Sequence, residues 1–233
     1  MQRRATLRLA LACVVVSSTA DAHFNLKTPE SWTVQDGLGD PQKLGPCGSD
    51  GTVTPSGIVT AYNPGDTVTI TFNETIFHPG HYRVALAVND RSELPAEPVV
   101  TPGTGTPCGT AAVMSPIAFP VLADGVLDHT QAFTGMQTIQ VKLPDNIKCS
   151  KCTLQIIEFM SQHPLNMPGG CFYHHCADIS IGVAPPAMDG GTGSTTQSGC
   201  ACSSPGASPA MSGFVGLFAV AAFLRLVLLR RTS

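Results

Sequence analysis

From Gly57 onward the chain is a succession of short runs of β-formers cut apart by Gly, Pro, Asn and Asp, and this punctuation leaves little room for anything but strands. Runs stand at Gly57 to Tyr62, Thr67 to Phe72, Tyr82 to Val88, Gln137 to Leu143, Cys152 to Met160 and Asp178 to Val183. Asn63-Pro64-Gly65-Asp66 and Leu143-Pro144-Asp145-Asn146 read as turns between them. No apolar stripe of helical period reaches useful length, and no internal repeat is detectable. The expected fold is all-β: an antiparallel β-sandwich of immunoglobulin or fibronectin III type, with long loops and disulfide staples. The Pro/Gly-rich stretch from Glu93 to Pro120 is expected as loop.

The two ends read as addresses. Residues 1–22 have a basic start, an apolar run from Leu9 to Val16 and a small-x-small site at Ala20-Asp21-Ala22, the pattern of a signal peptide with cleavage before His23. Processing at Cys13 as a lipoprotein is the weaker alternative, because position 10 is Ala and the residues after Cys13 stay apolar. Residues 190–210 form a Gly/Ser/Pro linker carrying Cys200 and Cys202. Residues 211–233 form an apolar segment interrupted by Arg225 and closed by Arg230-Arg231, expected as a transmembrane or sorting segment. The order of Cys-bearing linker, apolar segment and Arg pair resembles the C-terminal sorting tails of myxobacterial surface proteins. The folded domain is expected over 23–189, exported to the cell surface or secreted, anchored by or processed at its tail, and monomeric.

Charge and cysteines agree with export. Residues 23–190 carry 7 basic against 15 acidic residues, a net −8. Nucleic acid, whose binding needs Lys and Arg to displace counterions, is excluded as a partner. Six cysteines fall in the body: Cys47, Cys108, Cys149, Cys152, Cys171 and Cys176. In an oxidising compartment they read as three disulfides, with pairing open; a zinc site using Cys149, Cys152, Cys171 and Cys176 is the rival.

Three places carry chemistry. Cleavage before His23 would give a leading residue that offers both an α-amine and ring Nδ1, two nitrogens able to shed protons near neutrality and chelate a metal. Phe77-His78-Pro79-Gly80-His81-Tyr82 supplies a second imidazole, from His78 or His81, in a tight loop before a strand. Cys171-Phe172-Tyr173-His174-His175-Cys176 places the Tyr173 hydroxyl where it could approach the same ion. Imidazole-rich tetragonal coordination suits Cu(II). The bland alternative puts Tyr173 in the core, with His174 and His175 facing solvent beside a disulfide. No nucleophile elbow, P-loop, dinucleotide fingerprint or HExxH motif occurs, and no carboxylate pair identifies a hydrolase.

His23-Phe24 after a signal peptide, His78-Pro79-Gly80 before a strand and Tyr173-x-x-Cys176 before the last strand resemble the lytic polysaccharide monooxygenases and their copper-binding relatives, in a bacterial, monooxygenase-like branch. The resemblance spans roughly residues 23 to 183. It implies a histidine brace with His23 as chelating residue, His78 as second imidazole and Tyr173 as axial phenol, holding one mononuclear copper. It further implies oxidative cleavage of glycosidic bonds in a chitin- or cellulose-type polysaccharide with an external electron donor; the alternative is a non-catalytic surface protein that binds or delivers copper through the same brace. Cys171 stands where fungal members have a Gln before the axial Tyr, and Gln155 or Glu158 is the expected neighbour of the metal. Trp32 is the one aromatic near His23 that could stack on a sugar, or be buried.

Overall fold

The computed structural model describes residues 23–165 and 170–186. The expected signal peptide, linker and C-terminal segment lie outside them, and among the described residues no helix is long and apolar enough to cross a membrane.

The strands are β1 (His23–Thr28), β2 (Val59–Tyr62), β3 (Thr67–Ile76), β4 (Gly80–Ala87), β5 (Val100–Gly103), β6 (Thr106–Ala111), β7 (Val121–His129), β8 (Gln137–Lys142), β9 (Cys149–Met160) and β10 (Phe172–Ile181), with one 3-10 turn at Arg91–Glu93. They build a three-stranded sheet in the order β1-β3-β8, a five-stranded sheet in the order β2-β10-β9-β4-β7, and a β5-β6 hairpin. The expected all-β sandwich is therefore the observed fold. The hairpin corrects the expectation that residues 93 to 120 are loop throughout.

Phe24, Leu26, Val68, Ile70, Phe72, Ile139 and Val141 of the smaller sheet meet Tyr82, Val84, Leu86, Leu154, Ile156, Tyr173, Ala177 and Ile179 of the larger in one core. On β3 and β8 buried and less buried positions alternate, as strands with one wet face should. The larger sheet differs. Its outer face is covered by loop segments and the hairpin, with Ile157, Phe159 and Phe172 packing beside the Cys108–Cys171 bridge and Trp32 beside Cys47–Cys176. β4 and β10 are consequently buried at every position, so their sequences lose alternation.

All six body cysteines pair, as Cys47–Cys176, Cys108–Cys171 and Cys149–Cys152. The four cysteines of the rival zinc reading go to three separate bridges.

Candidate metal centre

Strand register explains why residues so far apart in sequence meet. At the start of β1, His23 lies opposite Ile76, the last residue of β3, which places it beside the Phe77-His78-Pro79 turn into β4. At the same end β4 begins with Gly80 opposite Met160, and β10 begins with Phe172 opposite Phe159. The N-terminus of β1, the β3–β4 turn, the end of β9 and the start of β10 thus converge.

Four rings gather there. His23 and Tyr173 have centroids 5.4 Å apart, Tyr173 and His163 5.8 Å, and His163 and His78 4.8 Å. All four residues are buried. His81 is not among them: its ring packs 5.2 Å from Phe159, on the sheet face opposite Tyr82 and Tyr173. The β3–β4 turn is held by Ser161, whose backbone N–H and hydroxyl both donate to the Pro79 carbonyl, at 2.8 and 2.9 Å. Gly80 admits no side chain, because a Cβ there would stand 1.7 Å from the Phe159 carbonyl oxygen.

The His23 ring is fixed through its far nitrogen. Nε2 lies 3.1 Å from Oδ2 of Asp40, and this contact is the main reason the Asp40 carboxyl sits below its ordinary pKa range. An ionised carboxylate only accepts, so Nε2 carries a ring proton, and Nδ1 is the ring nitrogen that would supply a lone pair to a metal. Asp40 is delivered by a loop that Asp36 organises: its Oδ1 accepts from the N–H groups of Leu38, Gly39 and Asp40. Gly39, at φ +107°, lets this loop press on β1, since a Cβ there would sit 2.1 Å from the Phe24 carbonyl oxygen.

β1 is an edge strand whose open side is completed by side chains. Phe24 N–H donates to Gln42 Oε1 at 3.1 Å, and Leu26 exchanges two bonds with the Gln35 amide, at 2.9 and 2.8 Å. Nε2–H of His175 donates to the Phe24 carbonyl at 2.8 Å. His174 and His175 are buried, correcting the alternative that they face solvent. Glu97 lies 2.9 Å from His174 Nε2, whereas burial pulls His175 down to about 4. His175 is therefore neutral in the fold and charged below its ordinary ~6.5 when unfolded, so stability should fall as pH drops from 6.5 towards 4 and level off below. From pH 7 to 4 the unfolding free energy should drop by about 3 kcal/mol more in the wild type than in His175→Gln, measured by denaturant titration.

The remaining candidates separate. Gln155 points to the outer face and donates to the Pro46 carbonyl at 2.8 Å, away from the ring cluster. Glu158 faces the core, opposite Tyr173 in the β9–β10 register. Trp32 is buried, donating to the Cys47 carbonyl at 2.9 Å under the Arg91 guanidinium, 4.0 Å from its ring. Sequence reading missed His163 and Asp40. No spacing motif marks either; the one available signal was that a His needs an acceptor on its far nitrogen to present the near one.

The ring cluster, three imidazoles from His23, His78 and His163 beside a phenol, is nitrogen-rich, a chemistry that suits copper better than a hard oxygen-seeking ion.

The fold is an all-β sandwich with this histidine-rich end. Among solved structures the chain is similar to a lytic polysaccharide monooxygenase AA15 from Thermobia domestica in the Cu(I) state, at 18% identity and a TM-score of 0.46, over 68% of this chain and 98% of that one. No protein-family model and no curated protein matches the chain.

Proposed function

We propose that this domain binds one copper ion, which His23 and His78 would hold with the Tyr173 phenol beside them, and uses it for oxidative cleavage of polysaccharide. The observation that carries the reading is the His23–Asp40 contact. It sets the tautomer in which Nδ1 can donate, at the residue that becomes the N-terminus if export cleaves before it. His78 shares the ring cluster, and the resemblance of His23-Phe24, His78-Pro79-Gly80 and Tyr173-x-x-Cys176 to the monooxygenases supports the choice of metal and reaction.

Copper, when bound, supplies one-electron chemistry towards an oxygen co-substrate. The chain's own part is positional. Asp40 holds the His23 ring and its proton, Ser161 pins the turn bearing His78, and the buried Tyr173 ring walls the inner side. His163 packs between Tyr173 and His78 and keeps both rings from rotating.

A second reading, copper binding and delivery without turnover, is favoured by one observation: Trp32 lies beneath Arg91 rather than open to a sugar face. One experiment separates them. Mature protein loaded with copper is incubated with chitin or cellulose and a reductant, and the products are examined by mass spectrometry. Oxidised oligosaccharides that vanish in His23→Ala support the enzyme; stoichiometric copper with no product across a broad glycan panel sinks it and leaves the carrier. In either case Asp40→Asn should weaken copper binding by about 10- to 100-fold, read by competition with a chelator of known affinity.

A further inference from the structure

Behind Tyr173, between the two sheets, lies a second group of ligand-type side chains that the ring cluster does not use. Glu74 of β3, His129 of β7 and Glu158 of β9 bring one ligand atom each to within 4.8 Å of one another, and all three side chains are buried. Tyr82 of β4, fully buried, stands directly opposite Glu158 in the β4–β9 register.

The outward-facing atoms of this group are already satisfied. Nδ1 of His129 bonds to the Leu127 carbonyl at 2.9 Å, and Oε2 of Glu74 accepts from Phe133 N–H at 3.3 Å. Because the Leu127 carbonyl and the Glu74 carboxylate both only accept, the His129 ring donates from both nitrogens as an imidazolium, Nε2 to Glu74 Oε1 at 3.0 Å; burial works against that charge, but the two bonds hold the ring above its ordinary pKa range. A metal entering here would displace the proton on Nε2. Both Glu158 oxygens and the Tyr82 hydroxyl are shut off from water; the hydroxyl interacts with the Glu158 carboxyl, and among the described residues no other hydrogen-bond partner reaches either group. Of the three ligand-type side chains, Glu158 is the one whose oxygens accept from neither backbone nor a charged group, in a core where an unpaired charge is costly.

The backbone is bent to make this arrangement. The β4–β7 register slips between Gly80↔His129 and Tyr82↔Val126, a bulge that re-aims His129. Leu127, within the bulge, has φ +52°, the left-handed region that a leucine rarely enters. That turn presents its carbonyl to His129 Nδ1, so local strain is spent on fixing which nitrogen faces the carboxylates.

We propose that Glu74, His129 and Glu158 form a second metal site, distinct from the copper centre, that holds one divalent ion of the zinc type between the sheets. Geometry and ligand chemistry both point there. A dication that replaced the proton on His129 Nε2 and the proton on Glu158 would balance the two carboxylates, and two oxygens with one imidazole nitrogen are a normal donor set for zinc but poor in nitrogen for Cu(II). Zinc at bonds of ~2.1 Å wants donors about 3.4 Å apart, so the ligands would draw in by roughly an ångström on loading. The competitors are two protons: one on His129 Nε2, held there by Glu74, and one on Glu158, whose carboxyl is pushed well above its ordinary range by burial, reinforced by the Glu74 charge. The ion joins β3, β7 and β9, hence both sheets, and its role is structural.

The test uses the His23→Ala protein, disulfides intact, so that zinc cannot report the copper centre. It is unfolded in guanidinium, stripped with a chelator and refolded with or without zinc chloride. Elemental analysis after gel filtration should find one zinc per chain, with a thermal midpoint that rises with zinc concentration. Glu158→Gln and His129→Gln should each lose that zinc and that rise, while with His23 restored His129→Gln keeps its copper spectrum. Less than stoichiometric zinc in the His23→Ala protein, or a midpoint indifferent to zinc, overturns the proposal whatever the variants do. Failure of copper to bind the wild type would leave it standing.

Discussion

Placing a single glycine ahead of His23 is expected to lower the affinity for Cu(II) by more than the ~10²-fold that loss of a supporting hydrogen bond can cost, because it removes a ligand rather than loosening one. The extra residue turns the α-amine of His23 into a peptide nitrogen, while its imidazole keeps the 3.1 Å contact with Asp40 and the tautomer that contact sets. The side chains of the site are unchanged, so fold and melting temperature should be those of the natural mature protein. Chelator competition gives the affinity. Electron paramagnetic resonance should show fewer nitrogen couplings in the extended protein than in one beginning at His23. Equal affinities would mean that the amine is no ligand, and the brace reading would fail with it. His81→Ala, by contrast, should leave copper binding unaltered, since that ring packs on Phe159 behind the sheet. His78→Ala should weaken it strongly.

How much of this could be read from sequence differs from element to element, for physical reasons. β3 and β8 were legible because one of their faces is wet and the pattern alternates. β10 was expected only from Asp178, yet begins at Phe172: His174, His175 and Cys176 are buried against loops on one side and core on the other, and polar residues in a doubly covered strand mimic a turn. β1 gave no strand signal because part of its edge pairing comes from the Gln35 and Gln42 amides, which periodicity does not register. For the site, a residue's own chemistry singled out His23, His78 and Tyr173. Asp40 and His163 act through what they touch, and contact between residues 17 or 10 apart on irregular loops leaves no trace in spacing. Glu74, His129 and Glu158 are the extreme case: each sits alone on its own strand, and only the register of two sheets makes them neighbours.

Removing the Cys47–Cys176 bridge with paired alanines should cost the most stability of the three, and should cost copper affinity too. In the chain-entropy picture a bridge spanning 129 residues constrains the unfolded chain by about 5 kcal/mol, against about 2 kcal/mol for Cys149–Cys152 with a separation of 3. The same bridge ties the segment that carries Asp40 and Gln42 to β10. Its neighbours in that tie are two backbone bonds, Trp32 N–H to the Cys176 carbonyl at 2.9 Å and His174 N–H to the Gln42 carbonyl at 2.8 Å. Without the covalent link those bonds, with the Asp36 turn and the Gln42 contact to Phe24, must hold Asp40 against His23, and the ring loses part of its fixed orientation. Thermal unfolding should therefore show a midpoint lowered by about 10 °C or more in Cys47→Ala/Cys176→Ala, and by less than half of that in Cys149→Ala/Cys152→Ala. Copper affinity should drop several-fold in the first variant and stay constant in the second. Were the two variants equally stable, the staple would contribute through the native state rather than by restricting the unfolded chain. Undiminished copper binding in the first would show that the loop bearing Asp40 is positioned by Asp36, Gly39 and Gln42 without help from the disulfide.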